Sequence, residues 1–337
     1  MRWDAWTHVM MPIQREMKTT GTALSANGVL METTPGACGE MRDANALLGD
    51  AQGLLDRMGG DGYLLFRRLL EPEVVLEARR EILLKYATVG EIDSIGHPLM
   101  DAVRSKHSAI DKVNLRAFTE SLRTGLAYER VVLHPRLFEF LEHLLGGEVR
   151  SFDFRWPRLA RPGEGCGFHY DGPYMNRGTD KIFTTWIPLG EVKREDGGLI
   201  LLENSHKQES LLNTYAKRDA DKEGISWLST DPVKLRKKLG GRWLMTDFRP
   251  GDVLCFGMHM LHGAMDNRSP QGRCRLSSDT RYQLANEPFD ERWNGPNSRH
   301  AHGEDKVFLP GLGQWNNKDF QDEWKRVDEH GRLVLPE

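Results

Sequence analysis

A histidine and an aspartate two positions apart, in Phe168-His169-Tyr170-Asp171-Gly172, constrain this chain more than any other stretch. Positions i and i+2 of a β-strand face the same side. A strand here therefore aims an imidazole and a carboxylate into one space. That pair is one ligand short of the set of two histidines and a carboxylate that occupies one face of a non-haem iron and leaves its other positions open. The best third ligand is His262, in Met260-Leu261-His262-Gly263-Ala264, which follows a turn and an apolar strand. The pattern points to an Fe(II) oxygenase.

Composition narrows the surroundings. Hydrophobic residues make up 39% of the 337 positions and charged residues 28%, which supports a packed core rather than a disordered chain. The formal net charge of −3 lacks the basic excess of a nucleic-acid binder. Cys38, Cys166, Cys255 and Cys274 show no CxxC spacing, which argues against a zinc ribbon or disulfide scaffold and fits a reducing cytoplasm. No apolar run approaches the ~18 residues of a membrane span, and the N-terminus lacks a secretory pattern. The expectation is a cytoplasmic monomer or homodimer acting on a small molecule, with neither nucleic acid nor membrane as partner.

Along the chain, residues 1–55 read as a partly ordered extension with a short helix between Ala44 and Leu55. The turn Asp61-Gly62 leads into a strand, Tyr63 to Phe66. Pro72 suits a helix start, and Val75, Ala78, Ile82 and Tyr86 give that helix a buried face. Residues 87–127 read as short helices or a lid. Leu133, Leu137, Leu141 and Leu144 form one helical stripe, closed by Gly146-Gly147. His134 and His143 on it read as solvated or capping residues. Short strands follow: Val149–Trp156, Lys181–Leu189, Leu199–Leu202, Val253–Phe256 and Arg273–Gln283, interrupted by a polar, helix-prone insertion over residues 207–245. Together they predict a mainly β fold with flanking helices, a double-sheet jelly roll of the cupin kind spanning residues 56–290. Residues 291–337 read as a tail held to it by Trp293, Phe308, Trp315, Phe320 and Trp324.

In the last strand, alternation puts Arg273, Arg275, Ser277, Asp279 and Arg281 on one face. An arginine directed into a barrel needs an anion. A dicarboxylate cosubstrate supplies one, with Arg275 pairing to its far carboxylate and Ser277 adding a donor. The competing reading is an Arg–Asp network through Asp279 or Asp266.

The motifs resemble those of the phytanoyl-CoA dioxygenase family of Fe(II)/2-oxoglutarate oxygenases. The matching pieces are Asp61-Gly62-Tyr63-Leu64, His169-Tyr170-Asp171, Trp186-Ile187-Pro188-Leu189, Gly197-Gly198-Leu199 leading to Asn204-Ser205-His206, Gly251-Asp252-Val253-Leu254-Cys255-Phe256, His262-Gly263, Asn267-Arg268-Ser269 and Arg275-Leu276-Ser277. They span roughly residues 60–285 in the family's order. The resemblance implies a double-stranded β-helix, with His169, Asp171 and His262 as iron ligands and Arg275 as the 2-oxoglutarate anchor. It also implies that Trp186 lies against the cosubstrate. The family's spacing from the distal histidine falls on Arg273, whereas the Arg-x-Ser pattern falls on Arg275. The His-Gly pair favours His262 over His259 as distal ligand and gives His206 a structural role. Tyr170, Tyr174 and Arg155 are candidates for the substrate pocket, and Arg158 and Arg161 belong to the same basic run. The implied reaction uses Fe(II), 2-oxoglutarate and O2, releases succinate and carbon dioxide, and oxidises a substrate C–H bond. The carboxylate at Asp171 favours hydroxylation, desaturation or ring closure over halogenation. Because the ligands must be deprotonated, iron affinity is expected to fall below about pH 6.5. The rival readings are a cupin-type metal enzyme that does not use 2-oxoglutarate and a non-catalytic jelly-roll binding protein.

Overall fold

The computed structural model describes residues 23–295 and the backbone of a short hairpin, Lys306–Leu309 with Gly313–Asn316. Residues 1–22 and the expected tail anchors Phe308, Trp315, Phe320 and Trp324 lie outside the residues whose side chains are described.

The chain opens with a hairpin, β1 (Ser25–Ala26) and β2 (Val29–Leu30), followed by β3 (Cys38–Glu40). A helical layer comes next, with one strand inside it. Its elements are α1 (Ala51–Asp61), β4 (Tyr63–Phe66), α2 (Pro72–Thr88), α3 (Leu115–Arg123), α4 (Leu126–Val132) and α5 (Pro135–Leu145). Five strands follow: β5 (Val149–Ser151), β6 (Trp156–Ala160), β7 (Cys166–His169), β8 (Phe183–Pro188) and β9 (Leu199–Leu202). The insertion supplies α6 (Glu209–Leu212), α7 (Ala220–Glu223) and α8 (Pro232–Leu239). The remaining strands are β10 (Trp243–Met245), β11 (Val253–Gly257), β12 (His262–Ala264) and β13 (Arg275–Leu284).

Eight strands, β6 to β13, build two sheets in the order β6-β13-β8-β11 and β7-β12-β9-β10. This is the double-stranded β-helix, cupin-like, with the sheets left open rather than closed into a barrel. β4 and β5 widen the first sheet, and β3 adds to the second in parallel with β10. The N-terminal extension is therefore part of a sheet from Cys38 onward.

Strand alternation sorts the side chains. Tyr63, Leu65, Trp186, Leu254 and Phe256 of the first sheet meet Leu199, Leu201 and Leu244 of the second in one cluster between the sheets. Leu64, Phe66, Ile187, Val253, Cys255 and Leu276 point the other way and pack under α1, α2, α4 and α5. Each large apolar side chain so buried contributes about 1.5–3 kcal/mol. The outer face of the second sheet is covered by the insertion, where Phe168, Tyr170, Ile200 and Trp243 meet Leu211, Tyr215 and Leu235.

Two expected elements differ. Val149–Trp156 is not one strand: the chain leaves the sheet after Ser151, and Phe152 and Phe154 turn inward against Trp293 before β6 begins. Leu133 is not on the α5 stripe. It caps the C-terminus of α4 and is exposed, because His134 and Pro135 start a new helix. His134 caps that helix through Nδ1 and pairs with Glu71.

A buried ion pair ties the helical layer together. Glu81 on α2 accepts the N–H groups of Ala127 and Tyr128 at the start of α4, at 2.9 and 3.1 Å, and lies 3.4 Å from Lys85 Nζ. Both side chains are almost fully buried. Glu81→Ala removes the carboxylate from a buried cation and uncaps α4. The expected loss is about 3–5 kcal/mol of unfolding free energy, read by urea denaturation.

Candidate metal centre

The antiparallel pairing of β12 with β7 sets His262 directly opposite His169. A bulge follows, since Ala264 pairs with Cys166 and β7 spends one extra residue over that interval. Gly263 sits at the bulge, where a Cβ would lie 2.7 Å from the Phe168 ring and 2.9 Å from the Cys166 carbonyl oxygen. The His-Gly pair is thus a packing requirement of the two metal-site strands. Gly167 is similarly pressed, with the Trp227 indole in the place of a side chain.

Asp171 does not reach the site by strand alternation. β7 ends at His169, and Asp171 has helical angles (φ −69°, ψ −27°) at the head of a 3-10 turn, Gly172–Tyr174. The turn swings its carboxylate toward β8. Oδ1 then lies 3.8 Å from Nε2 of both His169 and His262. The donor atoms of the three residues fall within 4.8 Å of one another. Oδ2 accepts the Thr184 hydroxyl at 2.6 Å, and Arg281 Nη2 donates to both oxygens at 3.0 Å.

The donor chemistry fits a divalent metal. His169 Nδ1 lies 2.9 Å from the Gly167 carbonyl, and His262 Nδ1 lies 2.9 Å from the Met260 carbonyl. A carbonyl only accepts, so Nδ1 carries the proton and Nε2 presents its lone pair toward Asp171. Burial, with His262 close by, pushes His169 down to about 3, and burial also lowers His262. Burial alone would raise Asp171. Arg281, the two imidazoles and Thr184 outweigh it and hold the carboxyl well below its usual range. At neutral pH the site is two neutral imidazoles and one carboxylate.

Burial favours the neutral imidazoles, which moves the expected loss of metal affinity to lower pH than a free histidine would give.

Arg275 lies on the inner face of β13, 7% exposed, and donates through Nη1 to Ser277 at 2.6 Å. Among the described residues it has no ion-pair partner, its Nε is buried without a hydrogen-bond partner, and burial pushes its pKa down to about 10. The competing Arg–Asp network through Asp279 or Asp266 does not include Arg275. Asp279 pairs with Arg158, and Asp266 accepts Ser25 and the Gly28 N–H. Trp186 is buried, with its ring centre 5.9 Å from the Arg275 guanidinium and 4.7 Å from Phe248.

Three expected site residues lie elsewhere. Arg273 precedes the strand and points out, its side chain 45% exposed and 3.9 Å from Asp101. Tyr170 follows His169 and faces the opposite side of the sheet, where its hydroxyl donates to the Ser205 carbonyl among the insertion's apolar residues. Arg155 turns to the helical layer and pairs with Glu129. Tyr174 does stand at the site, edge-on to His169 with ring centres 5.6 Å apart, and its hydroxyl donates to the Ser226 carbonyl. His259 packs near Tyr170 and Gly172. His206 lies over Gly62, with Nε2 3.2 Å from the Gly59 carbonyl.

Thr184 and Arg281 were not singled out from the sequence. Alternation already placed Arg281 on the Arg275 face. Only the register, Arg281 opposite Thr184, joins both to Asp171.

Metal-dependent oxidation with a dicarboxylate cosubstrate is the chemistry such an arrangement serves, and the protein is an Fe(II)/2-oxoglutarate-dependent dioxygenase. The chain belongs to the phytanoyl-CoA dioxygenase family, whose model matches residues 58–274. It is 28% identical over 256 residues to the 1-deoxypentalenic acid 11-beta-hydroxylase of Streptomyces arenae, covering 72% of this chain and 84% of that protein. The enzyme of the same name from Streptomyces exfoliatus is 27% identical over the same shares. Among solved structures, the epimerase SnoN from nogalamycin biosynthesis, in complex with Fe3+, alpha ketoglutarate and nogalamycin RO, is 19% identical. Its TM-score is 0.48, over 72% of this chain and 86% of that one.

Three outcomes follow from the site. Mn(II) affinity measured by calorimetry is expected to hold to lower pH than the ~6.5 of a free imidazole. The metal-free protein is expected to lose stability as pH falls below about 6.5. The His169 pKa is lower folded than unfolded, so the unfolded chain binds more protons between about 6.5 and the folded value of about 3, and stability falls as pH drops through that window. Gly263→Ala, by forcing β7 off β12, is expected to weaken Mn(II) binding by about tenfold or more.

Proposed function

We propose that His169, Asp171 and His262 hold Fe(II), that Arg275 with Ser277 takes the C5 carboxylate of 2-oxoglutarate, and that Trp186 flanks it. The observation carrying the cosubstrate assignment is Arg275 itself, a buried guanidinium with no acid partner among the described residues, on the face that also carries Arg281, the partner of Asp171. The same observation disfavours a cupin-type enzyme that does not use 2-oxoglutarate. The complete donor set disfavours a binding protein without catalysis.

When bound, iron and 2-oxoglutarate supply the oxidising chemistry: decarboxylation gives succinate and carbon dioxide, and the second oxygen atom of O2 enters the substrate. The chain does the rest. The two Nδ1 contacts fix the imidazole tautomers. Arg275 sets the direction of the cosubstrate. The insertion shields the opening: Ser229 bridges to Phe168 at the free edge of β7, Trp227 covers Gly167, and Ser226 takes the Tyr174 hydroxyl.

The substrate is read as a small metabolite hydroxylated at an unactivated C–H bond, with Tyr174 and Trp227 against it. The naming of the Streptomyces relatives as hydroxylases of an acid supports this. Residues 56–290 are taken as the oxygenase unit and 291–337 as a tail; the insertion, expected over 207–245, ends before Trp243, because Trp243–Met245 pairs with β9 as a strand of the second sheet. No described helix is long and apolar enough to cross a membrane. The four free cysteines support a cytoplasmic setting, with the protein acting as a monomer or homodimer without nucleic acid.

The test is an anaerobic Fe(II) titration followed by 2-oxoglutarate, read by visible absorption. Wild type is expected to develop a metal-to-ligand charge-transfer band only with both present. His169→Ala and Asp171→Ala should stay folded and lose iron. Arg275→Ala should bind iron and weaken 2-oxoglutarate by about 30-fold or more, the ~2 kcal/mol lower end for truncating a buried charge pair. Iron binding with no band would remove 2-oxoglutarate from the reaction.

A further inference from the structure

Arg281 is bound to Asp171 in a way that packing alone does not require. Its Nη2 donates to both carboxylate oxygens at 3.0 Å, and its guanidinium carbon lies 4.3 Å from the centre of the Trp156 ring. Its Nε and Nη1 are buried with no hydrogen-bond partner. Dry, unpaired donors are costly, and native interiors rarely keep them without a reason. Among the described residues, Asp171 is the sole acid that Arg281 pairs with.

The surrounding contacts make the two oxygens of Asp171 unequal. Oδ2 accepts from both Thr184, at 2.6 Å, and Arg281. Oδ1 accepts from Arg281 alone and is the oxygen 3.8 Å from each Nε2. Thr184 and Arg281 come from adjacent strands, β8 and β13, and stand opposite one another in register. Trp156, on β6 across β13 from Asp279, covers one face of the guanidinium and limits its swing. The carboxylate is thus held from behind by two strands of one sheet, while the histidines approach from the other sheet.

We propose that Arg281 and Thr184 are positioning residues that hold Asp171 so that Oδ1 alone is given to the metal. With Oδ2 retained by two donors, the carboxylate does not rotate to give both oxygens and take up a position that the cosubstrate needs. This rests on the assignment of His169, Asp171 and His262 as ligands. Residues that orient a ligand in this way change metal-site properties by about 10–100-fold when removed.

The experiment compares wild type with Thr184→Val, Thr184→Ser, Arg281→Met and Arg281→Lys. Each is titrated anaerobically with Fe(II) and then with 2-oxoglutarate, and melting temperatures are taken with and without Mn(II). Asp171→Ala is run alongside. If Asp171→Ala binds Fe(II) as tightly as wild type, the ligand assignment fails and this proposal falls with it. If Asp171→Ala loses iron, the positioning role is judged on its own. Thr184→Val and Arg281→Met are then expected to bind Fe(II) yet weaken 2-oxoglutarate by about 10-fold or more. Their charge-transfer band should be shifted or lost, with Thr184→Ser close to wild type and Arg281→Lys partly restored. A merely structural role would lower the melting temperatures and leave the band in place. That result, with wild-type 2-oxoglutarate affinity, overturns the proposal. Should Arg281→Met not fold, the Thr184 pair decides, because Thr184→Val removes one hydroxyl from Oδ2 and leaves the ion pair intact.

Discussion

Asp171 carries a negative charge into a place that is only 2% exposed, and much of the surrounding construction follows from that charge. A buried carboxylate needs a counter-charge and donors, or it takes up a proton and stops being a metal ligand. Arg281 supplies the charge and Thr184 a donor. The histidines are kept neutral, so they add lone pairs rather than a second cation. Had Asp171 been paired by an imidazolium instead, the site would hold a closed ion pair with nothing left to offer a metal. Burial removes that option by keeping both imidazoles neutral, and the carbonyl contacts at Nδ1 put the remaining proton of each ring on the side away from the carboxylate.

The second requirement is close backbone approach. Two imidazoles with ring centres 4.3 Å apart come from strands that must touch without side chains between them. The bulge in β7 and the absence of a Cβ at position 263 meet that need. Beyond the bulge β7 ends at His169, and the chain turns at Asp171 into the Gly172–Tyr174 turn rather than running on as a strand.

Much of this was legible in the sequence, and the failures share a cause. The strands over Tyr63–Phe66, Leu199–Leu202 and Val253–Phe256 carry near-continuous apolar runs, and they appear as expected because both faces are buried. His169, Asp171 and His262 were found from residue type and order, although the device that aims Asp171 is a turn and not the inferred strand. Closeness in sequence suggests Tyr170 and Arg155 for the site, and the family's spacing from the distal histidine suggests Arg273. What decides their direction is which sheet face, or which side of a strand end, each falls on. Arg273 shares parity with Arg275 yet lies before β13 begins, where alternation no longer applies. Thr184 was invisible because its importance comes from a partner on another strand, and single-sequence periodicity carries no register.

Register is in turn set on the face away from the site. On β13, Leu276 and Tyr282 pack into the helical layer, while Arg275, Ser277, Asp279 and Arg281 face the inter-sheet space. On β8 Ile187, and Leu189 just beyond its end, do the same work behind Thr184 and Trp186. A slip of one residue would carry Arg275, Arg281 and Thr184 out of the inter-sheet space and Leu276 and Ile187 into it. The helices that precede the jelly roll, with their buried Glu81–Lys85 pair, therefore fix the site from behind. They contribute no donor to it, yet they hold the alternation that brings Arg275 and Arg281 to the same space as His169, Asp171 and His262.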